Sequence, residues 1–402
     1  MQITQTERYV FISKDSRKYD NLFCMGFDLD STLICTKSGK RFGESKNDWR
    51  LKYSTSIKTL EYLVTKKSYE NKNCVIFIMT NQLGVKTNKI SIADLTEKLT
   101  NIINCISDNL KKNAVDVSIH AFASIEDDMF RKPRIESLEI LKAKCCVDKH
   151  SKLDGIYVGD ACNSEYSWSD IDYKFALNAG LDFYSDYEFF GNHQQKFNSG
   201  NHYCKLPEKV LTQRDSNSLS SSIEIKYNEI VECVCNGNNK LVIMCGSPAS
   251  GKSTLVKTII SLLTLENSAK IISQDELKTK AKCKKQVKEH IRDKVQYIFI
   301  DNCNRDFKTR KEWIDLAIEN EYHPIIIYLS TNKDLANHTN IYRMLKSGNK
   351  KIPKIAISTF FSKLQEPSEE EAKVIKLESK EILESVSSSS AADFKLLHSY
   401  LI

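Results

Sequence analysis

An apolar pentapeptide, Leu241-Val242-Ile243-Met244-Cys245, runs directly into Gly246-Ser247-Pro248-Ala249-Ser250-Gly251-Lys252-Ser253-Thr254. No other stretch of the 402-residue chain constrains the fold as tightly. Gly-x-x-x-x-Gly-Lys-Ser after a buried strand needs a strand, a tight loop and a helix, in that order. The glycines let backbone N–H groups wrap phosphate oxygens, and the helix N-terminus adds positive potential. Gly246, Ser247, Ser250, Gly251, Lys252, Ser253 and Thr254 are the expected phosphate-cradling residues. Lys252 is placed to reach the β- and γ-phosphates of ATP, and Ser253 to help hold Mg²⁺.

Holding a triphosphate does not transfer it, so an acceptor-side base is needed. Asp275, just beyond Lys270-Ile271-Ile272, is the leading candidate. Asp301, after Tyr297-Ile298-Phe299-Ile300, suits the metal side. Either residue also suits a helix cap. Arg343, in a basic and helical stretch, can stabilise charge on a transferring phosphoryl group. With a further strand expected at Ile325 to Leu329, this half reads as a parallel sheet covered by helices.

A second constellation lies more than two hundred residues earlier, at Asp28-Leu29-Asp30-Ser31-Thr32. Residues two apart at a strand end project to one side, so Asp28 and Asp30 can converge on one phosphate. Asp28 can attack phosphorus and form an aspartyl-phosphate. Asp30 can protonate the departing oxygen and later activate water. Two carboxylates around a phosphate call for a divalent cation, most naturally Mg²⁺. The other parts follow in order: Thr80 after the Val75 to Met79 strand, Lys132, and Asp160 after the Gly155 to Gly159 strand. A hydroxyl and a lysine can hold phosphoryl oxygens, and Asp160 can complete the metal site with Asp28 and Asp30. Helical periodicity over Ile92 to Leu110 and Arg134 to Lys144 again implies an α/β layer structure.

The expected organisation is a first domain over 1–190, a connection over 191–239, a second domain over 240–386 and a tail over 387–402 that opens with a serine run. No run approaches the ~18 apolar residues a membrane helix needs, and a signal-peptide pattern is absent. An intracellular location, nuclear or cytoplasmic and not secreted, is expected, with no membrane partner. The thirteen cysteines include no Cys-x-x-Cys pair and read as reduced, small hydrophobes. A net charge of +7 suits a polyanionic partner. The basic run Lys278 to Lys294 begins beside Asp275, where an acceptor backbone would pass. Trp49 and Trp168 are conceivable base-stacking residues, although such residues are more often core.

In this order, the first half resembles a haloacid-dehalogenase-like, Rossmannoid phosphatase and the second a P-loop kinase. The whole is similar to the polynucleotide kinase 3′-phosphatase family of eukaryotic and viral type. The likeness is carried by Phe27-Asp28-Leu29-Asp30, Ser38-Gly39-Lys40, Thr80-Asn81-Gln82, Arg131-Lys132-Pro133 and Val158-Gly159-Asp160-Ala161. Asp275, Asp301-Asn302-x-Asn304, Arg310, His338-x-Asn340 and Arg343 continue it. Ser31 departs from the glycine usual there, and Gln274 from an arginine. No forkhead-associated module is expected before residue 22.

The resemblance implies a bifunctional enzyme that removes 3′-phosphates and phosphorylates 5′-hydroxyls using ATP and Mg²⁺. It implies metal ligation by Asp28, the Asp30 carbonyl and Asp160, and proton removal by Asp275. DNA ends are the expected substrate, with RNA as the alternative, a ligase as the next enzyme and a monomeric state. A small-molecule phosphatase fused to a metabolite kinase, and a catalytically silent end-binding protein, are the rival readings.

Overall fold

The computed structural model describes all residues except 15–20, 42, 44, 146, 148–151, 166, 168, 192–219, 238, 379–380, 382–395 and 401–402, and only the backbone of 220–224. Two compact units are present, 1–208 with 400–402 and 209–399.

The first unit begins with β1 (Gln2–Gln5), β2 (Tyr9–Ser13), β3 (Leu22–Phe27) and a small hairpin of β4 (Ile34–Cys35) and β5 (Arg50–Leu51). Helix α1 (Ser56–Tyr69), β6 (Asn73–Asn81), α2 (Ile92–Lys112) and β7 (Ser118–Ser124) follow. The unit continues with α3 (Glu136–Lys144), β8 (Asp154–Gly159), α4 (Ile171–Ala179) and β9 (Asp182–Ser185), then a π-helical turn, Tyr187–Gly191. Seven strands form one sheet in the order β1-β2-β7-β6-β3-β8-β9. Its five-strand centre is parallel, as expected, but β1 and β2 add an antiparallel edge.

Strand periodicity sorts the side chains into two layers. Phe23, Met25 and Phe27 join Ile76 and Ile78 beneath α1 and α2. Cys24, Val75, Phe77 and Met79 face α3 and α4 on the other side. The register sets Phe27 beside both Ile78 and Val158. The carboxyl ends of β3, β6 and β8 are therefore level, and the residues just after them share one rim.

The second unit opens with α5 (Ser220–Cys235) and β10 (Lys240–Gly246), followed by α6 (Lys252–Leu262) and β11 (Ala269–Ile272). Next come α7 (Gln274–Leu277), α8 (Lys280–Arg292), β12 (Tyr297–Ile300), α9 (Phe307–Ile318) and β13 (His323–Ser330). Helices α10 (Lys333–Ser347) and α11 (Lys354–Lys363) precede β14 (Lys373–Glu378). The sheet is parallel throughout, in the order β11-β12-β10-β13-β14. Val242 and Met244 pack on one face and Leu241, Ile243 and Cys245 on the other.

Two boundaries differ from the sequence expectation. The stretch expected as connection ends in α5, whose Ile230 and Val234 are buried in the second unit's core. The stretch expected as tail carries a buried Leu397 in the second unit and a buried Tyr400 in the first. Asn178 binds the Tyr400 backbone with both its Nδ2 and Oδ1, at 2.7 and 2.8 Å. The serine run 387–390 and Trp168 lie outside the described residues.

Candidate active sites

At the rim of the first sheet, Lys132 is the organising side chain. It is 2% exposed, so it is not a solvated surface lysine. Its Nζ donates to Asp28 Oδ1 and Asp172 Oδ1, both at 2.6 Å, and to Tyr157 Oη at 2.9 Å. Two glycines make this crowding possible. A Cβ on Gly26 would lie 2.5 Å from the Tyr157 ring, and one on Gly159 would lie 2.4 Å from Asp172. Burial works against the Lys132 ammonium, but Asp172 and Asp28 outweigh it and hold its pKa well above the ordinary lysine value.

Asp28, Asp160 and Asp172 bring carboxylate oxygens within 4.8 Å of one another. Burial pushes Asp28 up to about 7, and burial followed by the Asp28 charge pushes Asp160 up to about 6. Asp172 is raised as well, again by burial first. Three carboxylates face one lysine, which leaves a surplus of negative charge that a hard divalent cation would neutralise. The donor set fits Mg²⁺. Thr32 fixes Asp160: its Oγ1 donates to Oδ1 at 3.3 Å and accepts from the Asp160 N–H at 3.0 Å.

The Asp30 carboxylate lies outside that cluster. Its Oδ2 accepts from Gln82 Nε2 at 2.7 Å and its Oδ1 from Lys98 Nζ at 3.0 Å. Any Asp30 contribution to a metal would therefore be through its main-chain carbonyl, as the resemblance has it. Thr80 is 2% exposed, and its Oγ1 accepts from Gln82 at 2.9 Å. Ser31 adopts φ 64°, a left-handed conformation that glycine enters without the steric cost to a Cβ. The departure at this position is thus carried by a strained serine, whose carbonyl accepts from Lys52 at 2.6 Å. Asp30, Ser31 and Asp160 open onto a cavity of about 640 Å³ that also meets Arg41, Tyr53 and Tyr187.

Asp172 and Lys98 were not among the sequence candidates. A signal existed for Asp172, an acid on the helix that follows Asp160. Lys98 had none, because it looks like one more lysine in an amphipathic helix. Trp49 is partly buried and packs against the core of the first unit.

In the second unit the phosphate loop closes at Gly251, φ 92°, with Ala249 also left-handed at 63°. Lys252 Nζ donates to the carbonyls of Gly246 and Ser247 at 3.0 and 2.6 Å. Ser250, Gly251, Lys252, Ser253 and Thr254 share a cavity of about 1110 Å³ with Asp275, Asp301 and Arg343. Gly246 and Ser247 lie beneath it. A Cβ on Gly246 would come 2.9 Å from Ser250 Oγ, and the buried Ser247 hydroxyl is 3.0 Å from Thr331 Oγ1. Asn302 Oδ1 accepts from the Gln274 N–H at 2.8 Å, which ties the Asp275 turn to the end of β12. Arg343 Nη2 donates to the Lys350 carbonyl at 3.1 Å.

Several matched residues turn out to be architectural. His338 Nε2 meets the Leu397 carbonyl at 2.6 Å, and Asn340 clamps the Ile352 backbone at both ends. Arg310 is fully buried and forked onto both Glu371 oxygens, at 2.7 and 2.8 Å. Arg310→Ala should therefore destabilise the second unit by about 3–5 kcal/mol, because it strands a buried carboxylate. A urea titration followed by tryptophan fluorescence checks this, with Trp313 in the same core as reporter.

The basic run after Asp275 divides. Lys280 and Lys284 both pair with Glu312, and Cys283 and Val287 are buried, so much of α8 serves the fold. Lys278 alone of that run lines the cavity, where Lys257, Arg343 and Lys346 join it.

Residues 24–190 match the family model described as polynucleotide kinase 3 phosphatase, and 241–367 the model described as AAA domain. Over 363 residues the chain is 31% identical to the bifunctional polynucleotide phosphatase/kinase of Schizosaccharomyces pombe, covering 90% of this chain and 80% of that protein. It is 28% identical over 375 residues to a putative bifunctional polynucleotide phosphatase/kinase of Acanthamoeba polyphaga mimivirus, covering 86% and 80%. The polynucleotide 3′-phosphatase ZDP of Arabidopsis thaliana matches over 190 residues at 26%, covering 46% of this chain and 26% of that one. With one family model over each of its two α/β units and a relative similar along nine-tenths of this chain, the chain belongs to the bifunctional polynucleotide phosphatase/kinase family.

Proposed function

We propose that this chain heals broken DNA ends, hydrolysing 3′-phosphates in its first unit and phosphorylating 5′-hydroxyls from ATP in its second. The observation that carries the reading is the pairing of two complete phosphate sites in one chain. One has a carboxylate nucleophile and a buried lysine 2.6 Å apart; the other has a nucleotide loop and Asp275 in one cavity.

In the phosphatase, an Asp28 oxygen bonds to phosphorus as the bond to O3′ breaks. The departing oxygen takes a proton from Asp30. Water then gives a proton to Asp30 and attacks phosphorus, which frees Asp28. Lys132 balances charge on the phosphoryl group, and Thr80 lies at the same rim to hold it. Asp28, Asp160, Asp172 and the Asp30 carbonyl would hold Mg²⁺, which when bound offsets the negative charge of the phosphate and its carboxylates.

In the kinase, Asp275 takes the proton of the 5′-hydroxyl as its oxygen bonds to the γ-phosphorus of ATP and the bond to ADP breaks. Lys252 and Arg343 stabilise the charge in transit, and Ser253 would contribute to a Mg²⁺ site beside the β- and γ-phosphates. Lys257, Lys278 and Lys346 give the cavity the positive surface a polynucleotide backbone needs. The ends produced, 3′-hydroxyl and 5′-phosphate, are substrates for a ligase. Among the described residues, no helix is long and apolar enough to cross a membrane.

The substrate class is tested by comparing 3′-phosphorylated DNA and RNA oligonucleotides with a nucleoside 3′-monophosphate. Strong preference for the DNA oligonucleotide, weakening with salt, supports the reading. Equal turnover of the mononucleotide would replace it with a metabolic phosphatase.

The metal assignment makes its own prediction. Asp28 at about 7 and Asp160 at about 6 both lie above the value near 4 that carboxylates have in an unfolded chain. Between about pH 4 and 7 the folded state then binds more protons, so metal-free stability falls as pH rises. Mg²⁺ should raise the melting temperature more at about pH 7.5 than at about pH 5, as read by scanning fluorimetry with EDTA controls. An equal rise at both values would count against a carboxylate-held ion.

A further inference from the structure

Lys98 sits where a helix core normally carries an aliphatic side chain. It shares the buried face of α2 with Leu95, Leu99 and Ile102, and its side chain is only 8% exposed. Burying an ammonium costs free energy unless it is paired. Its partner here is Asp30 Oδ1, at 3.0 Å, on a carboxylate whose side chain is 45% exposed. The other oxygen of Asp30 is held by Gln82, whose amide also donates to Thr80. A buried cation thus reaches out of the core to seize a group that faces the catalytic cavity. Packing alone gives no reason for a lysine at this position.

We propose that Lys98 is a positioning residue for the phosphatase reaction, fixing the Asp30 carboxylate in the orientation needed to exchange a proton with the 3′-oxygen. The inference rests on the phosphatase reading above. In the first step the P–O3′ bond breaks and the alkoxide must receive the Asp30 proton as it leaves. A lysine bond to one oxygen and a glutamine bond to the other stop the carboxylate from rotating away. Without Lys98, Asp30 keeps only the bond from Gln82.

This role predicts a dependence on leaving group that a merely structural role does not. A nitrophenolate departs without a proton, whereas a sugar alkoxide cannot. Lys98→Met should lower kcat on a 3′-phosphorylated oligonucleotide by at least about 30-fold, the scale of a lost or misdirected general acid. The pre-steady-state release of nitrophenolate from p-nitrophenyl phosphate, which reports the first step alone, should stay within about threefold of the unsubstituted protein, and 5′-phosphorylation should be unchanged. Lys98→Arg should restore most of the loss. Should Lys98→Met not fold, Lys98→Gln carries the same comparison. Nitrophenolate release slowed as much as oligonucleotide turnover, or no slowing of either, overturns the proposal. Failure of the unsubstituted protein to hydrolyse the 3′-phosphate would instead overturn the phosphatase reading itself.

Discussion

Asp28→Asn should abolish 3′-phosphate removal, with a fall of at least about 10³-fold, while 5′-phosphorylation stays within about twofold. The magnitude follows from the loss of the nucleophile, since no other carboxylate can take over bond formation from the same place. Asp160 and Asp172 are near, but one is held by Thr32 and the other by Lys132 and the Ala161 N–H. Sparing of the kinase follows from the second unit having its own sheet and core. The substitution also separates chemistry from folding. Asp28 is a buried carboxylate held well above its ordinary pKa, so neutralising it removes an unfavourable charge. The metal-free melting temperature should therefore not drop. A quenched 3′-phosphatase assay, a γ-phosphate transfer assay and a melt on one preparation check all three statements. Loss of both activities would mean that the two reactions share a site.

Lys252→Ala should have the reciprocal effect, lowering 5′-phosphorylation by about 10²–10³-fold with the phosphatase intact. Lys252 is buried, and its ammonium rests against two carbonyls of its own loop. The charge is thereby pre-positioned at the cradle before nucleotide arrives. Ser253 and Thr254 line the same cavity but carry no charge, and Lys257 stands a turn further along α6. Neither can replace a cation at the mouth of the loop. Lys252→Arg should not rescue, because a planar fork does not fit where a compact ammonium sits between two carbonyls. Steady-state kinetics with a 5′-hydroxyl oligonucleotide and ATP provide the measurement; near-normal kcat/KM in Lys252→Ala would remove the loop from the transfer step.

Much of both sheets was legible, and the reason is local. Central parallel strands such as Val75 to Met79 and Leu241 to Cys245 are buried on both faces and read as unbroken apolar runs. The edges were harder. β14, Lys-Val-Ile-Lys-Leu-Glu, alternates exposed and buried residues and was passed over, as was β1, whose four residues are all exposed. α5 was hidden in serine- and asparagine-rich sequence, although Tyr227, Ile230 and Val234 have helical spacing.

The sites divide in the same way. Asp28, Lys132 and Asp160 follow strand ends, or the loop between them, so their convergence could be anticipated from order alone. Asp172 comes from the first turn of α4 and Lys98 from the interior of α2, and only the packing of those helices brings them to the rim. Charge alone is ambiguous: Lys280 and Lys284 lie in the basic run beside Asp275, and both pair with Glu312, distant in sequence on α9.

On the proposed function, one chain treats both sides of a break. The most direct test is a nicked DNA duplex bearing a 3′-phosphate and a 5′-hydroxyl, incubated with ATP and Mg²⁺ and resolved on a denaturing gel. Both ends should be converted, so that an added ligase seals the nick. Leaving both ends untouched while a mononucleotide is turned over would contradict the proposed function.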